Sequence, residues 1–323
     1  MKALKKRIES APELLVRHIL SVLLVLSALV LVACAGDAPD PQADIPNVAV
    51  RSIRNLTNAG SQEYVAGWSP DGEWVLFTSD RNGHTEAYRM RVEGGEPERL
   101  TEGTEDDSFA GGWSPDGGRI AFVTFKKGNA ELYLLDLESR EVTQLTDDPA
   151  EDFDPHWSPD GESLLFSSNR SGDWQVHRLT LADGTVETLT DSPGKDERAR
   201  YAPDGGTIVF QSDRDGDLNV YRMNTDGTGV LRLTDHPADD SDPVVSPDGS
   251  AIAFRSSRDD GVSNVFIMDA DGTNVRRVTR SSAQDRFPAW SPDGSTLLVQ
   301  STRDIQAEGY LIGLEDGFGP RDR

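Results

Sequence analysis

A serine stands two residues before an aspartate in Trp157-Ser158-Pro159-Asp160-Gly161, and a hydroxyl near a carboxylate is the start of a nucleophilic site. Gly67-Trp68-Ser69-Pro70-Asp71 and Gly112-Trp113-Ser114-Pro115-Asp116 approach the Gly-x-Ser-x-Gly of a nucleophile elbow and fail at its last position. A tight turn accounts for the same residues: Pro presets φ, Asp bonds its own backbone and Gly supplies a positive φ. Five residues before the first position of each copy (Val245 in the fifth, an aromatic in the others) stand Glu63, Ser108, Asp152, Asp196, Asp240 and Asp285, an almost unbroken acidic set. Arg81, Arg170, Arg214, Arg258 and Arg303 recur at a second position, with Lys126-Lys127 standing in for the missing member. Carboxylates and arginines in matched sets either pair, pinning two loops, or present a charged surface to a partner or cation. His84, His156 and His236 share no spacing, so a histidine metal site is not expected from them. Asn224-Thr225-Asp226-Gly227 and Asp269-Ala270-Asp271-Gly272 lack the later bidentate Glu of a calcium loop and read as hairpin turns. No cofactor motif is present and no cofactor is expected.

What must position these residues is a repeat. The Pro-Asp-Gly stretch begins at 68, 113, 157, 201, 245 and 290, a period of 44 to 45 residues. In the third copy the turn is followed by Ser163-Leu164-Leu165-Phe166, and the others carry Trp74 to Phe77, Arg119 to Phe122, Thr207 to Phe210, Ala251 to Phe254 and Thr296 to Val299. Consecutive apolar residues in a strand mean burial on both faces, as in a small sheet stacked between two neighbours. A polar turn, a strand centred on His177 (Tyr88, Tyr133, Tyr221, Phe266 and Tyr310 elsewhere) and a last short strand ending in Leu-Thr complete the unit. The fold class is therefore all-β: a six-bladed β-propeller of four-stranded antiparallel blades spanning 48–317, with 318–323 as a tail. Leu-Thr closes five copies (Val278-Thr279 in the fifth), the sixth lacks it, and Leu56-Thr57 precedes the first. Val48 to Thr57 is thus expected to supply the outer strand of the last blade and close the ring. In such a ring, the loops into each blade and the second-to-third-strand loops share one face around the channel mouth. Glu63, Asp152, Asp196, Asp240 and Asp285 with Arg81, Arg170, Arg214, Arg258 and Arg303 are then the candidate partner-binding face.

The chain of 323 residues carries a net charge of -24. Residues 1–33 hold five Lys or Arg against two Glu, a net +3, which leaves -27 on the remainder. So acidic a surface argues against nucleic-acid binding, which needs cations to displace counterions. It favours solubility, cations or a basic partner. A basic start, an apolar run from Ile19 to Ala33 and small residues after it describe a secretory signal. Leu31-Val32-Ala33-Cys34 resembles a bacterial lipobox, and Cys34 is the only cysteine. Residues 1–33 are therefore expected to be a lipoprotein signal peptide, with Cys34 the lipid attachment, and 34–47 a flexible tether. The alternative is an uncleaved membrane anchor.

The repeat of Trp-Ser-Pro-Asp-Gly, Phe-x-Ser-x-Arg-x-Gly, a Tyr strand, Asp-Gly and Leu-Thr resembles the propeller repeats of TolB, the periplasmic component of the Tol–Pal system. It is also similar to propellers attached to prolyl-oligopeptidase-type enzymes. TolB carries an α/β domain before its propeller, where this chain has a lipobox and a short tether. The resemblance implies a non-enzymatic, monomeric scaffold in the bacterial envelope. TolB is soluble, so the lipid anchor, expected on the periplasmic face of the outer membrane, follows from the lipobox alone; a protein or a peptidoglycan or other glycan partner would bind through the channel mouth. The alternative is a metal-dependent hydrolase or lyase acting at the same mouth.

Overall fold

A computed structural model describes residues 45–101, 107–126, 128–259, 261–304 and 306–318. Cys34, the signal segment, most of the tether, Lys127 and residues 319–323 lie outside them. The described chain forms six four-stranded antiparallel sheets. Their innermost strands are Glu63–Trp68, Ser108–Trp113, Asp152–Trp157, Asp196–Tyr201, Asp240–Val245 and Asp285–Trp290, and these surround the central channel.

The second strands explain why the sheets stack. Leu164, Leu165 and Phe166 are all at most 1% exposed, as the unbroken apolar run requires. Each cluster of core side chains is shared by two blades. Leu165 and Val176 of blade three pack with Ala199, Ile208 and Phe210 of blade four. Leu298 and Leu311 of blade six pack with Val75 and Phe77 of blade one.

The recurrent turn is now assigned atom by atom. In blade three Ser158 Oγ donates to Asp160 Oδ1 (2.5 Å), Gly161 N donates to Ser158 O (2.9 Å) and Ser163 N donates to Ser158 Oγ (3.0 Å). The serine hydroxyl and a backbone N–H hold Asp71, Asp116 and Asp160 below the usual carboxylate range. A carboxylate so stabilised is a poor proton acceptor, so the pair does not activate a nucleophile. The glycine sits at φ 73°, and a Cβ there would lie 3.6 Å from Pro115 of the preceding blade. The aromatic reaches back the same way. Trp157 Nε1 donates to Gly112 O (3.2 Å), Trp290 Nε1 to Val244 O (3.3 Å) and Trp68 Nε1 to Ala289 O (3.0 Å). The motif therefore turns its own blade and fastens it to its neighbour.

The last blade closes as its missing Leu-Thr implied. Val50–Asn55 pairs antiparallel with Gln306–Leu314, from Val50 opposite Leu314 to Asn55 opposite Tyr310. In other blades the Leu-Thr threonine accepts the N–H of a third-strand residue, as Thr190 Oγ1 does from Val176 (2.9 Å). Thr57 does this for Gly309 (3.0 Å), from the other end of the chain. The clasp extends one blade further than expected. Val48 N donates to Arg277 O (2.7 Å), Arg277 N donates to Pro46 O (2.9 Å), and Ile45 packs on the core of blade five. The tether assigned to 34–47 thus gives up its last three residues, because an outer strand edge offers them backbone partners.

Blade three carries one exception with a measurable consequence. The hydroxyls of Tyr221 and Tyr310 donate to Asp215 and Asp304, six residues before each, and that of Tyr88 accepts from Asn82 at the same offset. His177 replaces the tyrosine and Ser171 stands at the loop position. The imidazole is fully buried, accepts or donates one bond with Thr188 at Nδ1 (3.2 Å), and has no partner at Nε2. Burial, assisted by the Arg170 charge, pushes it down to about 4 from an ordinary 6.5. The native state holds His177 neutral while the unfolded chain protonates below about 6.5. Stability is therefore complete above pH 6.5 and declines as pH falls toward 4, by about 3 kcal/mol in all. Urea midpoints measured from pH 7 to pH 4 should show this slope. They should show less of it in His177→Phe, which installs the blade-five residue; an unchanged slope would assign it elsewhere.

Candidate functional site

The two matched charge sets meet. Arg170 Nη2 reaches both oxygens of Asp152 (2.9 and 2.7 Å), and its Nε donates to Ser168 Oγ (3.0 Å). Arg81 bonds Glu63 (3.1 Å), Arg214 bonds Asp196 (2.7 Å), Arg258 bonds Asp240 (2.8 Å) and Arg303 bonds Asp285 (2.7 Å). Each guanidinium also lies over an aromatic of its blade, as Arg214 does over Phe210 (5.3 Å) and Tyr221 (5.0 Å). Every one of the five carboxylates is 0% exposed. The pairing that the sequence offered as one of two compatible roles is present: the carboxylates tie the innermost strand to the second-to-third loop of the same blade. Burial raises the Glu63 carboxyl, with Ser61, Ser79 and Arg81 opposing it. The arginines keep an edge in solvent, with side chains 17 to 21% exposed except for Arg258 at 6%.

Rings fill part of the mouth that the carboxylates leave. Phe109 and Phe153 are the second residues of their innermost strands, and Phe125 and Trp174 belong to second-to-third loops. They form a ladder, Phe109 to Phe125 (6.2 Å), Phe125 to Phe153 (5.9 Å) and Phe153 to Trp174 (5.8 Å). All but Trp174 are half-buried. No six-fold pattern announced them, because only two blades carry them.

From the third residues of the innermost strands to the prolines of the Pro-Asp-Gly turns, the channel holds a half-open cavity of about 520 Å³. The innermost strands bulge at their third residues, and Asp154, Arg198, Asp242 and Phe287 take a left-handed φ of 51 to 55°. Arg198 lies between Asp154 (3.6 Å) and Asp242 (3.2 Å), with its guanidinium 4.8 Å from the Phe287 ring centre. Arg200 and His156 line the same cavity. Burial, with the Arg200 charge beside it, holds His156 well below its ordinary value, so it is neutral. These residues escaped a reading that looked for agreement between copies. The signal was disagreement: the third positions read Val65, Ala110, Asp154, Arg198, Asp242 and Phe287.

The histidines do not converge. His84 is exposed in a blade-one loop, His156 lies in the channel and His236 accepts the Ala238 N–H (3.0 Å). Among the described residues no group of three His, Cys, Asp or Glu stands close enough to share a metal ion. Asp226 and Asp271 accept bonds from Thr228 and Thr273 in their own hairpins.

Comparison with known proteins places this geometry. The sequence profile of the TolB beta propeller domain (PD40) matches residues 103–192, 179–258 and 236–321. An uncharacterized protein of Agrobacterium fabrum is 37% identical over 54 residues, which are 17% of this chain and 18% of that one. A solved structure described as a TolB of Agrobacterium tumefaciens is 26% identical with a TM-score of 0.62, covering 82% of this chain and 97% of its own. TolB of Acinetobacter baumannii is 25% identical with a TM-score of 0.61; the match covers 80% of this chain and 65% of that protein. An oligogalacturonate lyase solved with manganese shares the fold at 18% identity and a TM-score of 0.59, over 84% of this chain and 96% of its own.

Proposed function

Because this chain belongs to the TolB β-propeller family, we propose that it is a non-enzymatic binding scaffold of the bacterial envelope, held to a membrane through lipid on Cys34. Its propeller presents the channel mouth to a protein partner, in a role like that of TolB in the Tol–Pal system. The observation that carries the binding reading is the ladder Phe109, Phe125, Phe153 and Trp174, whose rings run across two blades at the mouth with three of them half-buried. Aromatic and arginine side chains dominate the energetic centres of protein interfaces, and both kinds stand here. In blade three the buried Arg170–Asp152 pair holds the loop that carries Trp174, so that part of the surface is formed before a partner arrives.

Crosslinking and affinity capture of the full chain from its own envelope tests this. The double variant Phe125→Ser, Phe153→Ser should retain its melting temperature within a few degrees and lose at least about tenfold of partner recovery. Recovery equal to the unsubstituted protein would move the interface elsewhere. Capture of Tol–Pal components would assign that system. Cys34→Ala should shift the protein from the membrane to the soluble fraction, and retention on the membrane would favour an uncleaved anchor. A hydrolase or lyase would instead hold stoichiometric transition metal that a chelator removes, which elemental analysis of the purified protein reads directly.

A further inference from the structure

The outer edge of blade five is occupied, and its occupant shows what such an edge accepts. The outer strand there, Arg276–Arg277, takes Asn47 as a parallel bridge. Arg277 N donates to Pro46 O (2.9 Å), and Arg277 O accepts from Val48 N (2.7 Å). Ile45 and Val275 pack on the core shared by blades four and five, and Val48 packs on the core shared by blades five and six. Ile45-Pro46-Asn47-Val48 is thus a strap, with two backbone bonds along the edge and one apolar side chain on the seam at either side. Proline suits its second place, because only the carbonyl of Pro46 is used.

Blade four presents the same edge without a strap. Its outer strand, Leu231–Arg232, has no strand beyond it among the described residues. Arg232 lies opposite Tyr221 as Arg277 lies opposite Phe266. Leu233 N turns inward to Val220 O (2.8 Å) as Val278 N does to Val265 O (2.9 Å), so the N–H and C=O of Arg232 point outward as those of Arg277 do. Val230 is 41% and Leu231 48% exposed, whereas Val275, the counterpart of Val230, is half-buried. The other edges are blunted, as exposed strand edges commonly are. Arg140 Nη2 donates to Arg99 O (3.2 Å) over the edge of blade one. Val142 in blade two stands between Glu141 and Thr143, Ile53 in blade six between Ser52 and Arg54, and blade three ends on Glu187 and Thr188. Among the described residues, Val230 and Leu231 are the one adjacent pair of large apolar side chains left exposed.

We propose that the outer edge of blade four binds an extended segment of a partner protein as an added parallel strand, apolar at its first and fourth positions in the manner of Ile-Pro-x-Val. Main-chain groups of the segment bond Arg232 N and O and supply the affinity, while the two apolar side chains cover Val230, Leu231 and the seams beside them and supply the selectivity. A second copy of this chain is disfavoured as the source. Its own strap is seated on blade five and runs directly into the strand that closes blade six, and each copy carries a net charge of -24. This edge lies apart from the aromatic ladder of blades two and three and stands whether or not a protein docks at the mouth.

The probe is a labelled peptide, acetyl-Ala-Asp-Ile-Pro-Asn-Val-Ala-Val-amide, which repeats residues 43–50. Fluorescence anisotropy with the full chain should show saturable binding with a dissociation constant below about 1 mM. With benzoylphenylalanine at the Asn47 position, photocrosslinks should map to residues 229–233. N-methylation of the peptide at the Val48 position removes the N–H meant for Arg232 O and should weaken binding at least about tenfold. The protein variant Val230→Asp, Leu231→Asp should weaken it as much, yet melt within a few degrees of the parent because both side chains are on the surface. Crosslinks at residues 275–278 would mean that the peptide displaces the chain's own strap, and that result overturns the proposal. So would unchanged affinity of the N-methylated peptide or of the double variant, or no saturable binding at about 1 mM.

Discussion

Deletion of residues 45–57 is expected to abolish cooperative unfolding and to leave a protein that aggregates. The segment does three things at once. Val50–Asn55 covers the outer edge of blade six, Leu56 fills the core between blades six and one, and Thr57 caps the Gly309 N–H. Without it a nine-residue strand, Gln306–Leu314, has an unpaired edge, which is a template for association between chains. Leu56 alone is 5% exposed among Val75, Phe77, Leu298 and Leu311, so Leu56→Ala should cost about 2–5 kcal/mol. A circular permutant separates loss of the strand from loss of the connection. Val50 lies opposite Leu314, and Glu315 N donates to Ala49 O (3.0 Å), so a short turn can join the two strands as a hairpin. With new ends opened between Asn58 and Gly60, the permutant should melt close to the parent in calorimetry. A permutant as damaged as the deletion would mean that ring closure by this strand is not what holds the protein.

The second large effect is expected at Asp240. Its carboxylate is 0% exposed and its partner Arg258 only 6%, over the rings of Phe254 (5.3 Å) and Phe266 (5.2 Å). Asp240→Ala leaves that guanidinium buried and uncompensated, and breaking such a pair costs about 3–5 kcal/mol. The stranded charge, and not the lost volume, causes the loss. Asp240→Ala with Arg258→Met should therefore recover more than half of the lost urea midpoint, because no charge is then stranded. No recovery in the double variant would refute that cause. The exposed pair Arg91–Glu73, with both side chains more than half in solvent, is the contrast, and its loss should cost less than about 1 kcal/mol.

The charged face shows how one sequence pattern supports two readings. Glu63, Asp152, Asp196, Asp240 and Asp285 recur with Arg81, Arg170, Arg214, Arg258 and Arg303, and recurrence alone could mean a binding ring or a structural tie. Burial decides it. The carboxylates face inward because the first residue of the innermost strand lies opposite the end of the second strand, as Asp152 lies opposite Ser168. The arginine two residues beyond that end then folds back onto the carboxylate. Residues repeated in every blade do the work of every blade. Side chains peculiar to single blades sit where the copies part: His177, the ladder in blades two and three, and Asp154, Arg198, Arg200 and Asp242 in the channel.

The sequence by itself determined the architecture. A 44- to 45-residue period, paired-face apolar strands and Pro-Asp-Gly turns are local properties, and each is written into consecutive residues. The closing strand was legible for the same reason, as a Leu-Thr missing at one end and present at the other. Only the tertiary structure decided what the serine–aspartate turn and the acid–arginine sets do, since the first is settled by hydrogen bonds within and between blades and the second by burial. The channel cluster was beyond any local reading. Asp154, Arg198 and Asp242 are separated by 44 residues at each step, and ring closure is what brings them together. The ion pairs that Arg198 makes there belong to the closed ring, and no stretch of chain contains them.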